Sequence, residues 1–164
     1  MEYENLLIGL SQIGMIFAGL ISVFIIFEAR EGKFPPHERM HISGLVLSCI
    51  ALLICSLTPF VFFVYGFQDQ ILWRASASVG IFGCICTSYF GLTPYLRLSP
   101  EERKLNGYFH AATVFAAAGA ILVVFVLAAI GKAPAGNYIT GTLLIVAIGL
   151  SSFGTFAHKR FVKA

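Results

Sequence analysis

Residues 42–65 read ISGLVLSCIALLICSLTPFVFFVY, and no Asp, Glu, Lys or Arg occurs between Arg39 and Asp69. Crossing a bilayer as a helix takes roughly 20 consecutive apolar residues. This stretch meets that length with residues to spare, so it is read as a membrane helix. Pro36 suits the first turn of that helix, because a helix-start N–H has no intrahelical partner to lose. Pro59 lies near its far end, where a kink is expected.

Working outward, four further segments have the same character. The five expected spans are residues 5–27, 37–65, 70–96, 108–130 and 137–157. Composition agrees with this. Apolar residues make up 58% of the 164-residue chain and charged residues 12%, with mean hydropathy +0.86. A soluble domain is nearer 45–50% apolar and about 25% charged. The expected fold is an all-α integral membrane protein, a five-helix bundle forming one domain over residues 1–164. Its loops are too short to hold a soluble domain. The first span lacks the basic leader of a signal peptide and is read as a retained helix.

The connections carry their own signals. Gly66-Phe67-Gln68-Asp69 is so short that helices two and three should form a tight antiparallel hairpin, with Asp69 as N-cap. Ser99-Pro100-Glu101-Glu102 has a serine cap, a proline at the first helical position and acidic residues in the first turn, a helix-start signal, and a short cytoplasmic turn broken at Asn106-Gly107 is expected there. Gly131-Lys132-Ala133-Pro134-Ala135-Gly136 is a turn.

Orientation follows from the bias of Lys and Arg toward cytoplasmic loops. With the N-terminus outside and the C-terminus inside, Arg30, Lys33, Arg39, Arg97, Arg103, Lys104, Lys159, Arg160 and Lys163 all fall on the cytoplasmic side. Lys132 and Arg74 fall outside. Phe60, Phe62, Phe63, Tyr65, Phe67, Trp73 and Tyr138 then form an aromatic belt at the outer boundary. The net charge of +3 is explained by these loops and does not indicate nucleic acid. The expected environment is a cell membrane, either a plasma membrane or a bacterial inner membrane.

Several residues stand out as candidates for function. On helix one, Ser11, Gly14, Ala18 and Ser22 form a stripe of small residues suited to close helix packing. A second face carries Asn5, Gly9, Gln12 and Gly19. Gln12 is the large polar side chain well inside this span, and in hydrocarbon its amide needs a partner helix or water. Helix three is the most polar span, with hydroxyls and glycines from Ser76 through Thr87 to Thr93. Either face suits the wall of a pathway shared between copies of the chain. Glu2, Glu4, Asp69 and Arg74 are then charges at the outer mouth, and the acidic ones favour cations.

His37-Glu38-Arg39-Met40-His41 has the spacing H-E-x-x-H. Over these five residues the sequence resembles the zincin metalloprotease motif, in which two histidines share a zinc ion and the glutamate activates water. Arg39 and the preceding Pro35-Pro36 depart from that motif, and no third ligand is evident. His37, Glu38, His41, His110 and His158 lie together at the cytoplasmic rim in this topology, where a zinc or proton site is conceivable. Catalytic residues are not identified, and no nucleotide loop or Ser–His–Asp order is present. No resident cofactor is expected. Cys49, Cys55, Cys84 and Cys86 read as small buried thiols.

Three functional readings follow: a homo-oligomeric ion channel or pore lined by helix one or helix three, an accessory subunit of a larger membrane complex, and a metal-binding protein or enzyme using the histidine rim. The first accounts for most of these features.

Overall fold

A computed structural model describes the backbone of residues 3–31, 36–106 and 108–161, and the side chains of residues 3–23, 42–104 and 111–155. Among the described residues there are helices and no strands: α1 (Glu4–Glu31), α2 (Pro36–Val64), α3 (Asp69–Arg97), α4 (Pro100–Asn106), α5 (Tyr108–Ala129) and α6 (Pro134–Phe161). All but α4 contain a segment long and apolar enough to cross a membrane. This is the architecture of a multi-pass membrane protein. The outer surface fits it, since bulky apolar side chains such as Ile16, Val64, Ile71 and Phe82 are more than half exposed. In water such a surface would be a liability, whereas in lipid it is the solvated face.

The helices match the expected spans with local differences. Helix α1 continues beyond Phe27 to Glu31, so the first connection is shorter than its charges suggest. Helix α6 begins at Pro134 rather than Asn137, because a proline at the first turn starts a helix without sacrificing a bond. The Asn137 amide reaches back to the Lys132 carbonyl at 2.6 Å. Asp69 is not the N-cap of α3. Gln68 occupies that position, without a side-chain cap bond, and Asp69 sits inside the helix with φ 49°. Aspartate tolerates this left-handed conformation better than most residues. The α4 start is as its sequence predicts. Ser99 Oγ accepts from the Glu102 N–H at 3.3 Å, and Glu102 Oε2 accepts from the Ser99 N–H at 2.9 Å, a reciprocal capping box.

Helices α2, α3, α5 and α6 form the bundle proper. Helix α3 packs on α2 and α5, and α6 packs on α5 and α2. Helix α1 leans chiefly on α2. Ring contacts tie its start and its middle to the rest, Tyr3 to Trp73 at 5.8 Å and Phe17 to Phe153 at 6.3 Å. The core centres on Phe125, which is fully buried between Gly80 of α3 and Gly141 of α6. A Cβ at Gly80 would lie 3.0 Å from the Phe125 ring, and one at Gly141 2.7 Å from it. Only glycine lets both helices close on that ring.

Tyr138 lies beside Phe125, with ring centroids 5.5 Å apart, and is also fully buried. Its hydroxyl donates to the Cys55 carbonyl at 2.5 Å. The cause is Pro59. In a helix the carbonyl at position i−4 accepts from the N–H at position i, and Pro59 has none, so the Cys55 carbonyl loses its ordinary partner. Tyr138, from another helix, replaces it. Trp73 is buried as well, against Tyr3 and Tyr138. Of the aromatic belt expected from sequence, Tyr65 remains at the surface, while Trp73 and Tyr138 belong to the core.

Candidate functional site

Among the described residues, three features are candidates: the outward face of α1, a groove between α2 and α3, and a cleft at the opposite end of the bundle.

On α1 the small-residue stripe turns inward over Ser11, Gly14 and Ala18, whereas Ser22 is exposed and donates to the Ala18 carbonyl at 2.8 Å. Ser11 and Gly14 are buried, and a Cβ at Gly14 would meet Leu52 and Leu53 at 3.4 Å. Ser11 Oγ donates to the Ile8 carbonyl at 2.7 Å, which satisfies it within its own helix. Ala18 packs beside the Ile21–Leu45–Cys49 cluster. The second face turns outward. Asn5, Gln12 and Gly19 are exposed, and Gly9 is half-buried with open space beside it. Neither face's direction is fixed by sequence alone, because small and polar stripes look alike at helical spacing. The Gln12 side chain therefore projects from the single chain in the middle of an apolar helix. Exposed Met15 and Ile16 lie one turn further along.

Helix α3 is less available than its composition suggests. Ser76 is fully buried and donates to the Leu72 carbonyl at 2.8 Å. Ser78 bonds the Arg74 carbonyl, Thr93 the Tyr89 carbonyl, and Thr87 the carbonyls of Gly83 and Cys84. These hydroxyls are thus spent on their own helix, a common fate of Ser and Thr in apolar surroundings. Thr87 faces the groove, whereas Ser76 does not line it.

The groove has a volume of about 450 Å³, within the range of about 300–1,000 Å³ typical of ligand sites. Its walls come from α2 and α3, and its floor from α5 and α6. Phe82 and Phe90 on one lip, and Ile50 and Ile54 on the other, are well exposed, so it opens sideways toward the surrounding lipid. Gly83 and Gly91 help create it, since a Cβ at either would meet nothing within 4 Å.

At the opposite end of the bundle, Glu4 and Asp69 lie on the surface near a second cleft of about 440 Å³. Tyr3, Phe63, Gln68, Asp69, Trp73 and Ala135 are among its lining residues. Arg74 makes a contact that its sequence context does not announce. Its Nε donates to the Ala129 carbonyl at 2.9 Å, and its stem passes Gly131. A cation at the C-terminus of α5 meets both unpaired carbonyls and the negative end of the helix dipole.

Glu2 and the side chains of His37, Glu38, His41, His110 and His158 lie outside the described residues. Among the described residues no cluster of three or more His, Cys, Asp or Glu could hold a metal ion. No protein-family model matches the chain, and no curated protein or solved structure is significantly similar to it.

Proposed function

We propose that this chain assembles with copies of itself into an ion channel or pore of a cell membrane, with the Asn5–Gly9–Gln12–Gly19 face of α1 turned to the shared pathway. The observation that supports this reading is Gln12. Its side chain stands on the outside of the isolated chain, and no hydrogen bond ties it to another described residue. An amide left without partners in hydrocarbon costs several kcal/mol, on the order of 2–7. A neighbouring copy or a file of water removes that cost, and bare lipid does not. The groove is apolar and ends inside the bundle at Phe125, so it offers no private aqueous route. A pathway has to run between copies.

In this reading the N-terminus is outside and the C-terminus inside, as the distribution of Lys and Arg suggests. Glu2, Glu4 and Asp69 then lie at the outer mouth, where carboxylates concentrate cations. The test is ion flux into liposomes. Flux present with the wild-type protein and lost with Gln12→Leu is the expected result. A monomer in mild detergent, or flux unchanged by that substitution, overturns the proposal.

A second reading has its own support. Met15 and Ile16 are exposed one turn from Gln12, and apolar neighbours suit a protein contact better than a wet wall. The same face could then dock the chain onto a different membrane protein as an accessory subunit. A stoichiometric partner that co-purifies with wild type and is lost with Gln12→Leu decides for this reading over the first.

A further inference from the structure

The groove between α2 and α3 has the form of a site for one lipid tail. Its lining residues form a continuous track along the bundle, from Ala111 to Phe125 on α5. Along α2 they run from Ser43 to Cys55, and along α3 from Val79 to Pro94. Twelve to fifteen residues of helix rise about 18–22 Å, enough to hold a tail that fills one leaflet, about 15 Å of a 30 Å hydrocarbon core. The groove is closed inside the bundle by Phe125, which Gly80 and Gly141 clamp in place.

The walls are almost wholly apolar. The groove hydroxyls of Ser48, Thr87 and Ser88 bond within their own helices. An apolar lining offers water few of the polar partners it needs to stay bound. The sideways opening between exposed Ile50, Ile54, Phe82 and Phe90 gives hydrocarbon a direct way in.

The other end of the groove indicates the headgroup. Helix α4 packs against both α2 and α5 there. It brings Arg103 and Lys104, and Arg97 ends α3 just before it. Arg103 lies over the Tyr95 ring at 5.7 Å, and Tyr95 meets Phe115 of the groove at 5.9 Å. Of the two acidic residues on α4, Glu102 is engaged in the capping box and Glu101 is exposed. An acyl chain lying in the groove would thus bring its headgroup toward Arg103, whose Nη2 also donates to the Leu96 carbonyl at 2.6 Å.

We infer that the α2–α3 groove holds one acyl chain of an anionic glycerophospholipid, bound as a resident lipid with its phosphate toward Arg103, Lys104 and Arg97. Such a lipid differs from the exchanging annulus because it is held on three sides by protein.

The test is the lipid retained by the purified protein after extended washing in mild detergent, counted by mass spectrometry and then challenged with phosphatidylglycerol and phosphatidylcholine. Wild type should keep about one phospholipid per chain, with phosphatidylglycerol preferred several-fold. Gly83→Leu and Gly91→Leu place a side chain in the open groove and should each cut retention at least tenfold. Gly119→Leu, which lies outside the groove and also meets nothing within 4 Å at its Cβ, should not. Arg103→Gln should keep the lipid and weaken the headgroup preference. Washed wild type free of lipid, or equal retention in Gly83→Leu and Gly119→Leu, overturns the inference. An unchanged headgroup preference in Arg103→Gln overturns its anionic half. If the leucine variants do not fold, wild type is photolabelled with phosphatidylglycerol carrying a diazirine on its chain. Labels retained on residues 79–94 and 43–55 support the site, and labels confined to outward residues such as Val61 and Ile71 refute it.

Discussion

Replacing Tyr138 with Phe removes one oxygen and leaves the ring stacked between Trp73 and Phe125. The oxygen matters because Pro59 has deprived the Cys55 carbonyl of its helical donor, and the Tyr138 hydroxyl takes its place at 2.5 Å. A buried acceptor left without a donor costs about 1–3 kcal/mol. Interhelical hydrogen bonds measured in membrane proteins average about 0.6 and reach about 1.7 kcal/mol. Tyr138→Phe should therefore destabilise the fold by about 1–2 kcal/mol. Pro59→Ala restores an N–H to α2, and with it an internal donor for the Cys55 carbonyl. In that background the Tyr138 hydroxyl becomes redundant, and the cost of Tyr138→Phe should fall below about 0.5 kcal/mol. The coupling of about 1 kcal/mol is the quantity a double-mutant cycle isolates. Reversible unfolding by SDS in mixed micelles, followed by the fluorescence of the single buried Trp73, gives all four corners of the cycle. Equal costs of Tyr138→Phe in the two backgrounds would refute the claim that Tyr138 repairs the Pro59 defect.

Other substitutions probe other contacts. Gly141→Ala brings a methyl group to 2.7 Å from a ring that Gly80 prevents from retreating, so it should cost about 1–3 kcal/mol. Gly119→Ala, with open space around it, should be neutral or slightly stabilising, and the two can be compared in one titration. Ser99→Ala breaks the α4 capping box and should cost about 0.5–2 kcal/mol, read as earlier proteolysis of the α3–α5 connection. Ser56 Oγ is buried without a partner. Ser56→Ala should therefore leave stability unchanged or raise it, because it removes a polar atom that gains nothing from burial.

The spans were legible in the sequence because their signal is coarse. Length and an absence of charge suffice to identify α2 or α5, and no packing partner has to be known. The capping box at Ser99 was legible for the opposite reason: its chemistry is complete within four residues. What could not be read was direction. Helical spacing places Gln12 and Ser11 on different faces, but only the position of α2 makes one face inner and the other outer. The aromatic belt mixed two kinds of residue, since a Tyr at a span end can face the interface, as Tyr65 does, or answer an orphaned carbonyl, as Tyr138 does. The Cys55–Pro59 defect is visible in the sequence, and it could have prompted a search for a donor on another helix. The groove left no comparable sign. Gly80 and Gly83 are three residues apart on α3 and identical in sequence, yet one closes on Phe125 and the other leaves the space a lipid chain would fill.

The central functional claim is that the Gln12 face of α1 meets its own copy. It is tested most directly by cysteine cross-linking in membranes, before any detergent is added, in a background lacking the four native cysteines. Gln12→Cys should give an oxidised dimer band, and Ser11→Cys, which faces α2, should not. Absence of the band at Gln12→Cys, or a band of equal strength at the lipid-facing control Ile71→Cys, would contradict the account.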